Sequence, residues 1–97
     1  MRLTDEAKLD LREIGRYISD DNPHRAISFM LEIQQKCLDI AKNPGLCRLR
    51  EELPAEIRAV RFKKYLIFYL TSKNNDVTVL RILHGSRNIP DFVRMDI

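Results

Sequence analysis

Tyr65-Leu66-Ile67-Phe68-Tyr69-Leu70, a turn through Ser72-Lys73-Asn74-Asn75-Asp76, then Val77-Thr78-Val79-Leu80-Arg81-Ile82-Leu83 and a closing His84-Gly85-Ser86-Arg87 decide how the rest of the chain is read. Both apolar runs are rich in aromatic and β-branched residues, and Asn/Asp chemistry suited to positive φ separates them. The stretch therefore predicts an antiparallel hairpin at the centre of a sheet. Alternation counted from Val77 puts Thr78, Leu80, Ile82 and His84 on one face and Val77, Val79, Arg81 and Leu83 on the other. One face buries fully in that register, and the other carries an arginine.

Working back from the hairpin, Ile57 to Phe62 alternates again, with Ile57, Ala59 and Arg61 opposite Arg58, Val60 and Phe62. This is a third strand, joined to Tyr65 by a Lys63-Lys64 turn, although neither residue is a good turn former. Leu46 to Glu56 has no clear period and contains Pro54, so it reads as a loop crossing from helix to sheet. Before it, Ala26, Phe29, Met30, Ile33, Cys37, Ile40 and Ala41 recur at helical spacing. Pro23 opens that helix and Asn43-Pro44-Gly45 stops it, so it spans Pro23 to Lys42. Ile27, Leu31 and Leu38 broaden its apolar surface, and a wide core face is favoured over a partner interface.

Nearer the start, Thr4 caps a helix whose first turn holds Asp5 and Glu6, and Ala7, Leu11, Ile14 and Ile18, with Tyr17 alongside, carry it to about Ser19. Gly15 inside it costs up to about 1 kcal/mol relative to Ala, which a close helix crossing would explain. Asp20-Asp21-Asn22-Pro23 is so short a link that the two helices fold back as an antiparallel hairpin. Met1 to Leu3 reads as a short edge strand. The expectation is one α+β domain over residues 1 to 97, in the order β-α-α-β-β-β, with the helical hairpin packed on a small antiparallel sheet.

Composition narrows the functional classes. With 44% hydrophobic and 32% charged residues, and only three Gly and four Pro, the chain has enough apolar material for a core and is not disordered. No apolar run approaches the roughly 20 residues a membrane span needs, and no signal peptide opens the sequence, so a cytoplasmic protein without a membrane partner is expected. Residues 1 to 47 hold 7 Lys/Arg against 8 Asp/Glu, whereas residues 48 to 97 hold 10 against 6. Basic character thus belongs to the sheet half, which suits an acidic protein or a phosphate backbone. Cys37 and Cys47 are not at zinc spacing, and Cys37 falls on a helix stripe as a buried thiol. No metal or cofactor is expected.

Glycine-rich phosphate loops, serine elbows and paired carboxylates are absent. What remains is a cationic set on neighbouring strands: Arg58, Arg61, Lys63, Lys64, Arg81, His84 and Arg87. Metal-free phosphate chemistry uses arginines against developing charge and a histidine or tyrosine as acid or base. Arg81 and His84, three apart on a strand, point to opposite faces in regular alternation. A structural role for His84, closing the core and bonding the following turn, is therefore favoured over catalysis.

These residues resemble a known family. Tyr65 to Tyr69 followed by Val79-Leu80-Arg81-Ile82-Leu83-His84-Gly85-Ser86-Arg87-Asn88 is similar to the sheet signature of the RelE/ParE superfamily of toxins from type II toxin-antitoxin modules. Ala7 with Asp10-Leu11, Ile14, Tyr17-Ile18, Asp21-Asn22-Pro23 and Ala26 resembles the helical hairpin of the ParE branch. The resemblance implies a cognate acidic antitoxin whose flexible segment wraps the toxin, a role in plasmid stabilisation, and a toxin dimer or toxin-antitoxin hetero-oligomer. It implies DNA gyrase as the target, with Arg58, Arg61, Lys63, Lys64, Arg81 and Arg87 binding antitoxin or target. The alternatives are a ribosome-dependent mRNA interferase of the RelE type, an endoribonuclease acting through Arg87, His84 and Arg81, and a non-toxic binding module of the same fold. RelE-type enzymes commonly carry an arginine where Leu66 stands, and a tyrosine in the region of Phe92 and Val93, so the nuclease branch fits less well.

Overall fold

The computed structural model describes residues 1–43, 57–72, 74 and 76–85. Strand β1 (Arg2–Leu3) leads through Thr4 into α1 (Asp5–Asp21), and α2 (Pro23–Lys42) returns antiparallel to it. Three longer strands follow: β2 (Ile57–Phe62), β3 (Tyr65–Thr71) and β4 (Val77–His84). Their order across the sheet is β1-β4-β3-β2, with β2, β3 and β4 antiparallel in sequence and β1 parallel to β4. The fold is α+β with the expected element order and a central β3–β4 hairpin. The edge pair makes the sheet mixed where an all-antiparallel one was expected. Two residues of β1 carry no register signal of their own; the direction is set by the helical hairpin that follows.

Local chemistry accounts for the element ends. The Thr4 hydroxyl accepts from the Ala7 N–H at 3.1 Å, satisfying one of the free donors of the first turn. Helix α1 runs two residues past Ser19, because Asp20 and Asp21 do not forbid helical backbone; the residue before a proline does resist it. Asn22 accordingly sits extended at φ −150°, and its N–H closes α1 on the Ile18 carbonyl. Its side chain simultaneously caps α2 by accepting from the Arg25 N–H at 3.1 Å. In the β2–β3 turn Lys63 adopts φ 54°, a left-handed conformation costing a side chain roughly 1 kcal/mol. The Gly85 N–H bonds the Lys64 carbonyl at 2.7 Å, and a Cβ on Gly85 would meet that oxygen at 3.3 Å, so glycine allows β4 to end against this turn.

Ile33, Ile67, Tyr69, Val77, Val79 and Ile82 are almost completely buried between the helices and the sheet, joined by Ala7, Ile14, Phe29, Cys37 and Ile40. A smaller cluster of Ile57, Ala59, Phe68 and Leu83 forms separately, with Leu66, Leu70 and Leu80 against it. Strict alternation along β4 fails. Phe68 pairs with Arg81 and Tyr69 with Val79, so Leu80 is an extra residue in the ladder. Such a bulge shifts the phase by one. Val77, Val79 and Ile82 therefore share the helix-side core while Leu80 and Leu83 belong to the other cluster, correcting the expected faces. Cys37 is buried, and burial pushes its thiol pKa up, as expected of a core thiol.

Two other expectations are corrected. The widened stripe of α2 is not core: Ile27, Leu31 and Leu38 are 64%, 63% and 48% exposed, since packing against both the sheet and α1 still leaves a third flank of a helix uncovered. A Cβ on Gly15 would meet Met30 at 3.5 Å, ordinary contact, so the crossing does not require glycine. The expected loop Leu46–Glu56, Cys47, Arg87 and the Phe92–Val93 region lie outside the described residues.

Candidate functional site

Strand β1 covers β4 only at Thr78 and Val79, leaving the next backbone groups of β4 to find other partners. The Thr4 N–H bonds the Val79 carbonyl at 3.0 Å and the Thr4 hydroxyl donates to the Leu80 carbonyl at 2.7 Å. Asp10, one turn further along α1, accepts the Ile82 N–H at 3.0 Å. The same carboxylate takes the Arg81 guanidinium in a fork, from Nε at 2.7 Å and Nη2 at 3.0 Å. Asp10 is 8% exposed, and its acceptor capacity is spent on the strand edge and the arginine. Arg81 is held protonated above its already high ordinary pKa, first by the bond to Asp10, with Glu6 and Glu13 adding to the field. This is a clamp between α1 and β4.

The other predicted cations among the described residues are dispersed. Lys63 Nζ reaches Glu32 of α2 at 2.8 Å, and Arg25 forks the same carboxylate at 2.6 and 3.4 Å. Hydrogen bonds from Arg25 and then Lys63 hold Glu32 down at about 2. Arg61 donates from Nε to the Lys63 carbonyl at 3.0 Å, bracing the positive-φ turn. Arg58 is half-buried and engaged. His84 is exposed, which corrects the expectation that it closes the core, and its ring meets Tyr65 edge-on at 5.6 Å and 78°. Tyr65 packs in turn on Phe29 at 5.5 Å. Among the described members of the predicted set, only Lys64 has an exposed side chain that makes no hydrogen bond or ion pair.

A different surface has the character expected of a partner site. Lys8, Arg12 and Arg16 recur every fourth residue along α1, all are exposed, and among the described residues none of them makes an ion pair or side-chain hydrogen bond. Helical phase puts Lys8 and Arg12 on the flank shared with Leu11 and Gly15, with Arg16 at its outer margin. Leu11 and Gly15 face α2. Leu11 shares a cavity of about 240 Å3 with Met1, Leu3, Ile33, Gln34, Cys37 and Leu38, and Gly15 lies against Met30. The solvent side of the interhelical groove is thus basic along α1 and apolar along α2, where Ile27, Leu31 and Leu38 are exposed.

Sequence and fold comparisons place this geometry. Residues 1–89 match the family model described as the ParE toxin of the type II toxin-antitoxin system, parDE. The chain belongs to the ParE toxin family. Among solved structures it is similar to a chain of the "Chromosomal ParDE TA system from P. aeruginosa", with a TM-score of 0.71 at 19% identity over 86% of this chain and 91% of that one. That likeness concerns the fold. No curated protein matches the sequence.

For this ParE-family chain the sheet signature locates the fold better than it locates a free cationic site. Arg81, one of the signature's two arginines, is turned to Asp10 of the hairpin motif, so two motifs read separately in the sequence are two halves of one ion pair. Leu66, at the position where an arginine marks the nuclease branch, packs with the second apolar cluster. Sequence reasoning passed over Lys8, Arg12 and Arg16 because charges on an amphipathic helix ordinarily read as a solvated face. Their spacing was too weak a signal to single them out: like charges at i and i+4 oppose helix stability only slightly. Among the described residues no helix is long and apolar enough to cross a membrane.

Proposed function

We propose that this chain is a toxin that inhibits DNA gyrase and is held inactive by a cognate acidic antitoxin docked along the α1–α2 groove. The match of residues 1–89 to the ParE toxin family carries the reading. Three unpaired cations beside exposed Ile27, Leu31 and Leu38 support the docking mode, because they suit an amphipathic helix with one apolar and one acidic face. The commitment of Arg81 to Asp10 supports a binding role for the protein over catalysis by Arg81. Expression in the native host, alone and with an adjacent acidic reading frame, tests neutralisation: growth arrest relieved by the neighbour is expected. Supercoiling and cleavage assays with purified gyrase test the target. Codon-positioned mRNA cuts on ribosomes with unaffected gyrase would overturn the proposal.

A further inference from the structure

The flank of α1 opposite the groove borders a second feature. A cleft of about 510 Å3 opens between α1 and the ends of β3 and β4, with Glu13 and Tyr17 from the helix, Tyr65 and His84 from the sheet, and Ile14 and Ile82 among its apolar lining. Its size lies in the range of ordinary ligand sites. Tyr17 is 77% exposed, an aromatic ring held in water at the rim. Tyr65 and His84 are fixed edge-to-face against each other. Burial and then the nearby Tyr17 phenol push the Tyr65 pKa up, which agrees with the two phenols approaching one another across the opening.

The charge of the cleft follows from the clamp beside it. Asp10 and Arg81 cancel one another there, while among the described residues Glu13 makes no hydrogen bond or ion pair of its own. Rings with electron-rich faces and one unpartnered carboxylate are complementary to a planar cation. A guanidinium stacks on tyrosine and donates a two-pronged pair of hydrogen bonds to a carboxylate, where an ammonium makes only a point contact. We infer that this cleft receives an arginine side chain of a protein partner, sandwiched by Tyr17 and Tyr65 and paired with Glu13, on a surface separate from the interhelical groove. The inference is independent of whether gyrase is the target, so its failure leaves the gyrase and neutralisation assays to stand or fall alone.

The probe is Nα-acetyl-arginine amide, titrated into the purified chain and followed by backbone and aromatic NMR shifts, with the lysine and glutamate analogues as controls. Saturable shifts at Glu13, Tyr17, Tyr65 and His84 are expected, with the lysine analogue at least threefold weaker and the glutamate analogue silent. Tyr17→Ala and Glu13→Gln change exposed side chains, and each should weaken arginine binding at least fivefold while the remaining spectrum is preserved. Arg12→Ala, on the other flank, should leave it unchanged. Shifts that do not saturate, that follow acidic residues over the whole surface, or that survive both substitutions would overturn the inference, as would equal binding of the lysine and arginine analogues.

Discussion

Two sets of cations in this small protein have opposite fates. In the sheet half, Arg81 is forked by Asp10, Lys63 is paired to Glu32, and Arg61 is bound to a backbone carbonyl. On α1, in the half of the sequence whose charges sum close to zero, Lys8, Arg12 and Arg16 stand unpaired in a row. Among the described residues, the half of the sequence with the larger net charge is therefore not the half that carries a row of unpaired cations. What makes a cation available to a partner is the absence of an internal acceptor within reach, and that is a property of the packing.

The comparison is broken most directly at the clamp. Asp10→Ala removes the carboxylate that forks Arg81 and accepts the Ile82 N–H, and should cost about 2 to 3 kcal/mol in urea or thermal unfolding. That is below the figure for breaking a fully buried pair, because Arg81 keeps 27% exposure. Arg81→Ala should cost a similar amount, and the two losses should be strongly non-additive in a double-mutant cycle. A loss below about 0.5 kcal/mol, typical of an ordinary surface site, would return Arg81 to the pool of binding cations.

At the groove the effect moves from stability to association. Arg12→Glu combined with Arg16→Glu should slow binding of the proposed acidic antitoxin by about tenfold or more at low salt, mainly in the on-rate. Leu31→Ala should raise the off-rate instead. Neither change should alter the unfolding free energy by more than about 0.5 kcal/mol. Equal losses from Lys64→Ala and from the α1 pair, measured by surface plasmon resonance, would erase the distinction between the two cation sets.

Gly15→Ala sharpens the picture of the hairpin. The added methyl finds ordinary contact with Met30, so the expected outcome is stabilisation by about 0.5 to 1 kcal/mol through a less disordered unfolded chain. Destabilisation would mean that the helices cross more tightly. The smallest effect belongs to Glu32, whose carboxyl is held at about 2 by Arg25 and then Lys63. Its folded pKa lies below the unfolded value, so its contribution is present above about pH 4.5 and lost as pH falls toward 2. The pair is over a third exposed and screened. Direct titration by NMR is the better measurement, with the Glu32 midpoint rising in Arg25→Ala more than in Lys63→Ala.

Much of the fold was legible where one residue type does one local job. Asn22-Pro23 ends one helix and starts the next; Thr4 caps; Ile57 to Phe62 shows its alternation openly. The candidate site was less legible. Arg81 stood out as an arginine on an apolar strand, yet its partner lies 71 residues away in sequence, and Asp10 entered only as part of a helical motif with no link to it. Lys8, Arg12 and Arg16 were hidden by the same ambiguity, since nothing in their spacing distinguishes a solvated flank from the rim of a groove.

The sequence by itself determined the elements: two capped helices joined by a short link, and three strands whose hydrophobic periods and turns are short-range properties of the chain. Tertiary structure decided how those elements meet. Only the folded chain sets β1 parallel to β4, inserts Leu80 as a bulge that moves Ile82 into the helix-side core, and leaves Ile27, Leu31 and Leu38 in water. The physical reason is that periodicity fixes which residues of an element share a face, while coverage of that face depends on a neighbour supplied from a distant part of the chain. Asp10 binds Arg81 because β1 is too short to cover the edge of β4, and no local pattern in either segment records that length mismatch.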